Sequence, residues 1–108
     1  MEKYLLIQSR DPFETNEVGR DYEIATNLKK AGNEVTLFLV QNGVFPARGT
    51  APRNGLHKVI ESGVEVLSDE FSLRERGISK EALTEGVKVA PLDRVVDQLA
   101  EGCKALWF

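Results

Sequence analysis

Apolar positions fall in short blocks separated by amphipathic stretches. Tyr4 to Ile7 is a continuous apolar run, the pattern of a strand covered on both faces. Polar residues from Gln8 to Thr15 end it. Val18, Tyr22, Ala25 and Leu28 then recur at helical spacing. Lys29 and Lys30 suit the negative end of the helix dipole, and Gly32 suits its C-terminal stop. A helix is predicted from about Thr15 or Asn16, with Gly19 inside it.

Val35 to Val40 is the densest strand signal, rich in β-branched and aromatic residues. Asn42-Gly43 breaks it. Gly43 to Asn54, with Pro46, Gly49 and Pro52, is predicted as a long loop, a place where function concentrates. A short helix should follow to Glu61, with Leu56, Val59 and Ile60 inward and Gly63 as its stop. Val64 to Leu67 makes a third strand.

Ser68 is placed to cap a helix through Arg76, with Asp69 and Glu70 in its first turn. A helical turn from Ser79 to Gly86 leads to a fourth strand, Val87 to Ala90. Pro91 then opens a helix whose inner face is predicted to be Leu92, Val95, Val96 and Leu99, closed by Gly102. Lys104 to Phe108 is a fifth strand.

Strands and helices therefore alternate throughout. That order predicts an α/β fold: three α/β/α layers around a five-stranded, mostly parallel sheet of flavodoxin-like type. At 108 residues the chain has room for one domain, residues 1–108. A chain of this size buries roughly 60–70% of its unfolded surface, enough for one core.

Charge and composition narrow the function. Net charge is -3, with both signs interspersed, so no basic field is available for nucleic acid. No run approaches the ~20 apolar residues of a membrane span, and Tyr4–Ile7 is too short for a signal-peptide core. The lone Cys103 cannot form an internal disulfide and fits a reducing compartment. The expectation is a cytoplasmic protein.

Ligands of open parallel sheets sit beyond the C-terminal ends of the strands. That rule selects Ser9 and Arg10, then Asn42, Arg48, Arg53 and His57, then Ser68 and Asp69, as candidate ligand-binding residues. Trp107 and Phe108 reach the same edge. Ser9-Arg10-Asp11-Pro12-Phe13 lacks the glycines of a dinucleotide-binding turn. No Gly-Lys-Ser/Thr motif is present. One Cys and one His do not form a zinc site. No cofactor or metal is expected. Arg10, Arg48, Arg53 and His57 could hold an anion, against the commoner fate of solvated surface charge.

Cys103 is the only candidate sulfur nucleophile. A reactive thiolate needs exposure and nearby positive charge or a helix N-terminus. Cys103 instead follows the helix-ending Gly102 and precedes the last strand. This places it at the N-terminal edge of the sheet, opposite the expected site, with Lys104 as its one favourable neighbour.

The chain resembles the DsrE/DsrF-like family of sulfur-relay proteins. The resemblance lies in Lys-Tyr-Leu-Leu-Ile, Leu-Lys-Lys-Ala-Gly, Glu-Val-Thr-Leu-Phe-Leu-Val-Gln-Asn-Gly-Val, Ser-Gly-Val-Glu-Val-Leu, Leu-Arg-Glu-Arg-Gly-Ile and a final strand ending in Trp. It implies a homo-oligomer, often trimeric or hexameric, and a possible sulfur-relay protein partner. It also implies a persulfide-carrying cysteine just after the third strand. Val66-Leu67-Ser68-Asp69-Glu70 occupies that place, without a cysteine.

Three functions follow as expectations. The first is a non-catalytic oligomeric subunit, or a small-ligand-binding or regulatory protein. The second is a persulfide carrier through Cys103. The third is a small-anion or nucleotide-binding module.

Overall fold

A computed structural model describes all of residues 1–108. The strands are β1 (Lys3–Gln8), β2 (Glu34–Leu39), β3 (Glu65–Asp69), β4 (Val87–Ala90) and β5 (Lys104–Trp107). The helices are α1 (Glu17–Lys30), α2 (Leu56–Glu61), α3 (Glu70–Glu75) and α4 (Asp93–Ala100). All strand pairs are parallel, and the sheet order is β4-β3-β2-β1-β5. This is the predicted three-layer α/β/α fold.

The order explains the layers. Three successive right-handed crossovers step from β1 to β4 and place α1, α2 and α3 on one face. The return from β4 to β5 runs back across the sheet and places α4 alone on the other. The first face holds the larger core: Leu6, Leu37, Leu39 and Val66 pack with Val18 and Tyr22 of α1, Val59 of α2 and Leu73 of α3. The second holds Leu5, Ile7, Phe38, Val40, Leu67 and Ala90, covered by Val95 and Cys103.

Two local expectations change. The segment predicted as an irregular loop after β2 begins as a 3-10 helix, Gln41–Ala47. Only its continuation is irregular, and Asn54 closes that part by donating to the carbonyls of Pro46 and Pro52, both at 3.0 Å. The cap of α3 is Asp69, which accepts from Ser72 N at 3.0 Å. Ser68 belongs to β3. β-pairing continues two residues further than its apolar run because Ser68 and Asp69 still face Val89 and Ala90 of β4.

Helix α4 also departs from its predicted orientation. Leu92, Val96 and Leu99 are 58%, 64% and 49% exposed, whereas Gln98 is buried. Gln98 Nε2 lies 3.4 Å from Thr36 Oγ1 in β2, and Arg94 pairs with Glu65 of β3 at 3.1 Å. These polar groups turn toward the sheet together with Val95, the one member of the predicted apolar arc that does. At 3.6 residues per turn, Arg94, Asp97 and Glu101 share one flank and Leu92, Val96 and Leu99 the opposite one. Arg94 fixes its own flank toward β3, so the apolar flank faces β1 and β5.

Candidate functional site

The sheet has one place where neighbouring strands send their chains to opposite faces. β3 leads into α3 on one side, and β4 leads into α4 on the other. This is the topological switch point at which a crevice is expected. Its last paired residues are Asp69 and Ala90.

The structure fills that position. Ser68 is fully buried, and Asp69 and Ala90 are 7% and 1% exposed. Asp69 Oδ2 accepts from both Ser72 N and Ser72 Oγ, the latter at 2.7 Å. Ser72 Oγ in turn accepts from Gln41 N at 2.8 Å. That bond accounts for the left-handed backbone of Gln41, whose φ is 51°, a conformation non-glycine residues rarely adopt. Ser68 Oγ is sealed without a hydrogen-bond partner.

Polar contacts continue across the edge. Asn42 Oδ1 accepts from Nε and Nη2 of Arg76 at 3.2 and 3.1 Å, and its Nδ2 donates to Glu14 at 3.2 Å. Gln8 Nε2 donates to Asp21 Oδ2 at 2.7 Å, while Gln8 Oε1 accepts from Arg10 N. The Arg10 guanidinium pairs with Glu17 at 2.8 Å. Ser9 Oγ donates to the carbonyl of Phe108 at 2.9 Å. Buried Tyr22 leaves its hydroxyl unpartnered. Burial first, then the carboxylates of Asp11 and Asp21, push that phenol above its ordinary range.

The sequence-selected residues therefore separate into groups. Ser9, Arg10, Asn42, Ser68 and Asp69 do gather at the C-terminal edge, but the first three and Asp69 are bonded to neighbouring segments and Ser68 is sealed. Arg48 and His57 line a separate pocket with Arg53, to which Arg10 does not contribute. The anion-holding group of Arg10, Arg48, Arg53 and His57 considered from sequence is thus divided, because Arg10 turns to the first turn of α1. Ser72 and Arg76 are central to the edge, yet sequence reasoning passed over them. The Asp-x-x-Ser spacing of Asp69 and Ser72 is a capping signal that could have revealed the first.

Cys103 lies at the opposite end of the sheet. By register Lys104 pairs with Tyr4, whereas Ser68 and Gln8 both pair with Leu39. The two ends are roughly 16 Å apart along the strands. Cys103 is half-buried and borders an open groove of about 350 Å3 with Lys3, Lys29 and Glu101. Its Sγ sits 3.9 Å from Gln98 Oε1.

Fold and edge together define a small parallel α/β domain whose switch point is closed and carries no thiol. The chain belongs to the DsrE/DsrF-like family, whose model matches residues 2–108. It therefore has the sulfur-relay fold without a carrier cysteine beside strand 3. It is 32% identical over 84 residues to the uncharacterized protein MK0008 of Methanopyrus kandleri, covering 71% of this chain and 69% of that protein.

Solved structures share the fold. The ychN protein of E. coli matches with a TM-score of 0.87 at 22% identity, over 100% of both chains. The protein MTH1491 of Methanobacterium thermoautotrophicum matches with a TM-score of 0.79 at 16% identity, again over 100% of both chains. BT1422 of Bacteroides thetaiotaomicron gives 0.77 at 18%, over 98% of this chain and 95% of its own.

Proposed function

We propose that residues 1–108 form one domain that works as a non-catalytic, self-associating subunit, and that it acts without carrying sulfur. The observation that carries this reading is the burial of Ser68 and Asp69 at the switch point, where neither a thiol nor a free polar group faces solvent. A hydroxyl or carboxylate cannot hold persulfide sulfur, so the position supports structure and not transfer.

Self-association is supported by the apolar flank of α4. Of the eight large hydrophobic residues that are exposed, Leu92, Val96, Leu99 and Trp107 lie on the α4 side of the sheet. Trp107 pairs in register with Ile7, so it projects from the α4 face of the sheet. It stands beyond the apolar flank of the helix, over edge strand β5. Exposed apolar side chains gathered on one face mark interaction surfaces. A second copy fits: a two-fold contact presents the same patch twice. Asp97 and Glu101 lie on the far flank of α4, so two such patches meet without opposing those acids.

A homo-oligomer, trimeric or hexameric, is the expected state, and a relay protein is a further possible partner. A reducing, cytoplasmic setting agrees with the single thiol. No helix is long and apolar enough to cross a membrane. Light scattering of the wild type and Val96→Glu tests the association. The wild type should exceed monomer mass and the variant should fall to monomer. A monomeric wild type at working concentration contradicts the reading.

One observation favours a second reading, a persulfide carrier through Cys103. The thiol borders an open groove between Lys3, Lys29 and Glu101, which could admit a donor. Against it, the thiol follows the carbonyl end of α4 and no cationic side chain is bonded to it.

A further inference from the structure

A pocket of about 210 Å3 lies between the loop that follows the 41–47 helix and the turn before β4. Arg48, Arg53, His57 and Thr84 line it, and none of its lining residues is an aspartate or glutamate. None of the protein's five ion pairs uses Arg48 or Arg53. In a chain of net charge -3, two guanidinium groups thus share a concavity with no counter-charge.

The walls are held in place by the protein itself. Gly49 N donates to Ala82 O at 2.7 Å and Thr84 N to Ala47 O at 2.8 Å, joining the two segments. Arg48 Nε donates to Phe45 O at 2.9 Å, and its guanidinium stacks 5.1 Å from the Phe45 ring centre. This fixes the group while leaving its terminal nitrogens uncommitted. Asn54 spends its amide on Pro46 and Pro52, and its Oδ1 accepts from Leu56 N at 3.0 Å. His57 Nε2 is shielded from solvent and has no partner, a state few native polar atoms keep.

We propose that this pocket binds a tetrahedral oxyanion, either free phosphate or the terminal group of a small phosphomonoester. Guanidinium forks match such oxygens in geometry and charge, and the pairing strengthens where carboxylates do not compete. The volume lies below the roughly 300–1,000 Å3 of sites that enclose a larger ligand. A pocket of this size matches the anionic group of a ligand rather than a whole enclosed nucleotide. The site is independent of the Ser68 position and of the thiol.

NMR of the full-length 15N-labelled protein tests this, with inorganic phosphate, glycerol 3-phosphate and chloride titrated at constant ionic strength. Signals of Arg48, Arg53 and His57 should shift saturably with phosphate and not with chloride. Arg53→Gln should weaken binding about tenfold, the loss expected for one charge-assisted contact. Arg53 is exposed and enters no ion pair, so the variant keeps its fold. Saturation by phosphate alone assigns a free anion, and tighter binding of glycerol 3-phosphate assigns a phosphomonoester. Shifts that stay linear, that chloride reproduces, or that survive Arg53→Gln unchanged overturn the proposal.

Discussion

Gly43 lies directly against the backbone of Gln8: a Cβ added at position 43 would overlap the Gln8 carbonyl oxygen. The contact lets the 41–47 helix pass close over the end of β1. A clash with backbone has no side chain that can swing away. Gly43→Ala should therefore cost about 3 kcal/mol, at the upper end of overpacking. Gly19→Ala is the control, because nothing stands within 4 Å of its added Cβ in α1. It should stabilise by about 0.5–1 kcal/mol through helix propensity. Urea denaturation of both variants checks the opposite signs.

A cysteine placed at the family's carrier position should be folded yet unreactive. Ser68→Cys in a Cys103→Ser background exchanges a sealed, unpaired hydroxyl for a group that tolerates apolar surroundings. Stability should hold or rise, because an unsatisfied buried polar atom is removed. Labelling with a disulfide reagent should be slow in buffer and complete in denaturant. Rapid labelling of the native variant would show that position 68 is open.

Tyr22 links stability to alkaline pH. Its folded pKa is raised, so above about pH 10 the unfolded chain releases the phenol proton while the folded chain keeps it. The unfolded state then binds fewer protons, and stability falls as pH rises from that point. Below it the contribution is intact. Tyr22→Phe removes the titrating group and its orphaned hydroxyl together. Thermal melts at pH 8 and pH 10.5 should show a smaller alkaline loss for the variant. An equal loss in both proteins would contradict the assignment.

Much of the fold was legible in the chain because its three inner strands, β1, β2 and β3, are buried on both faces and read as apolar blocks. Val35 to Val40 is the clearest example. The orientation of α4 was not legible. Periodicity locates an apolar arc but does not say what the arc faces, and here Arg94 and Gln98 take the sheet side through Glu65 and Thr36. An exposed apolar arc looks identical to a core-facing one in sequence.

The edge site was legible in position but not in role. Strand-end placement puts Ser9, Arg10, Asn42, Ser68 and Asp69 at one edge, where the structure has them. It could not reveal that Asp69 is occupied by Ser72, or that Arg10 turns to Glu17 and leaves Arg48 and His57 to a separate pocket. Strand-end placement says nothing of such side-chain bonds, and the bond of Gln41 to Ser72 joins segments distant in sequence as well. The opposite placement of Cys103 was read correctly from Gly102 and the strand that follows.

Sulfur loading tests the central claim most directly. The full chain is incubated with a cysteine desulfurase and isotopically labelled cysteine, and its intact mass is measured without reductant. An unchanged mass is expected for the wild type, because the switch point holds Ser68 and Asp69 and the one thiol sits at the far end of the sheet. A gain of one labelled sulfur atom that disappears in Cys103→Ser would contradict it and make Cys103 the carrier.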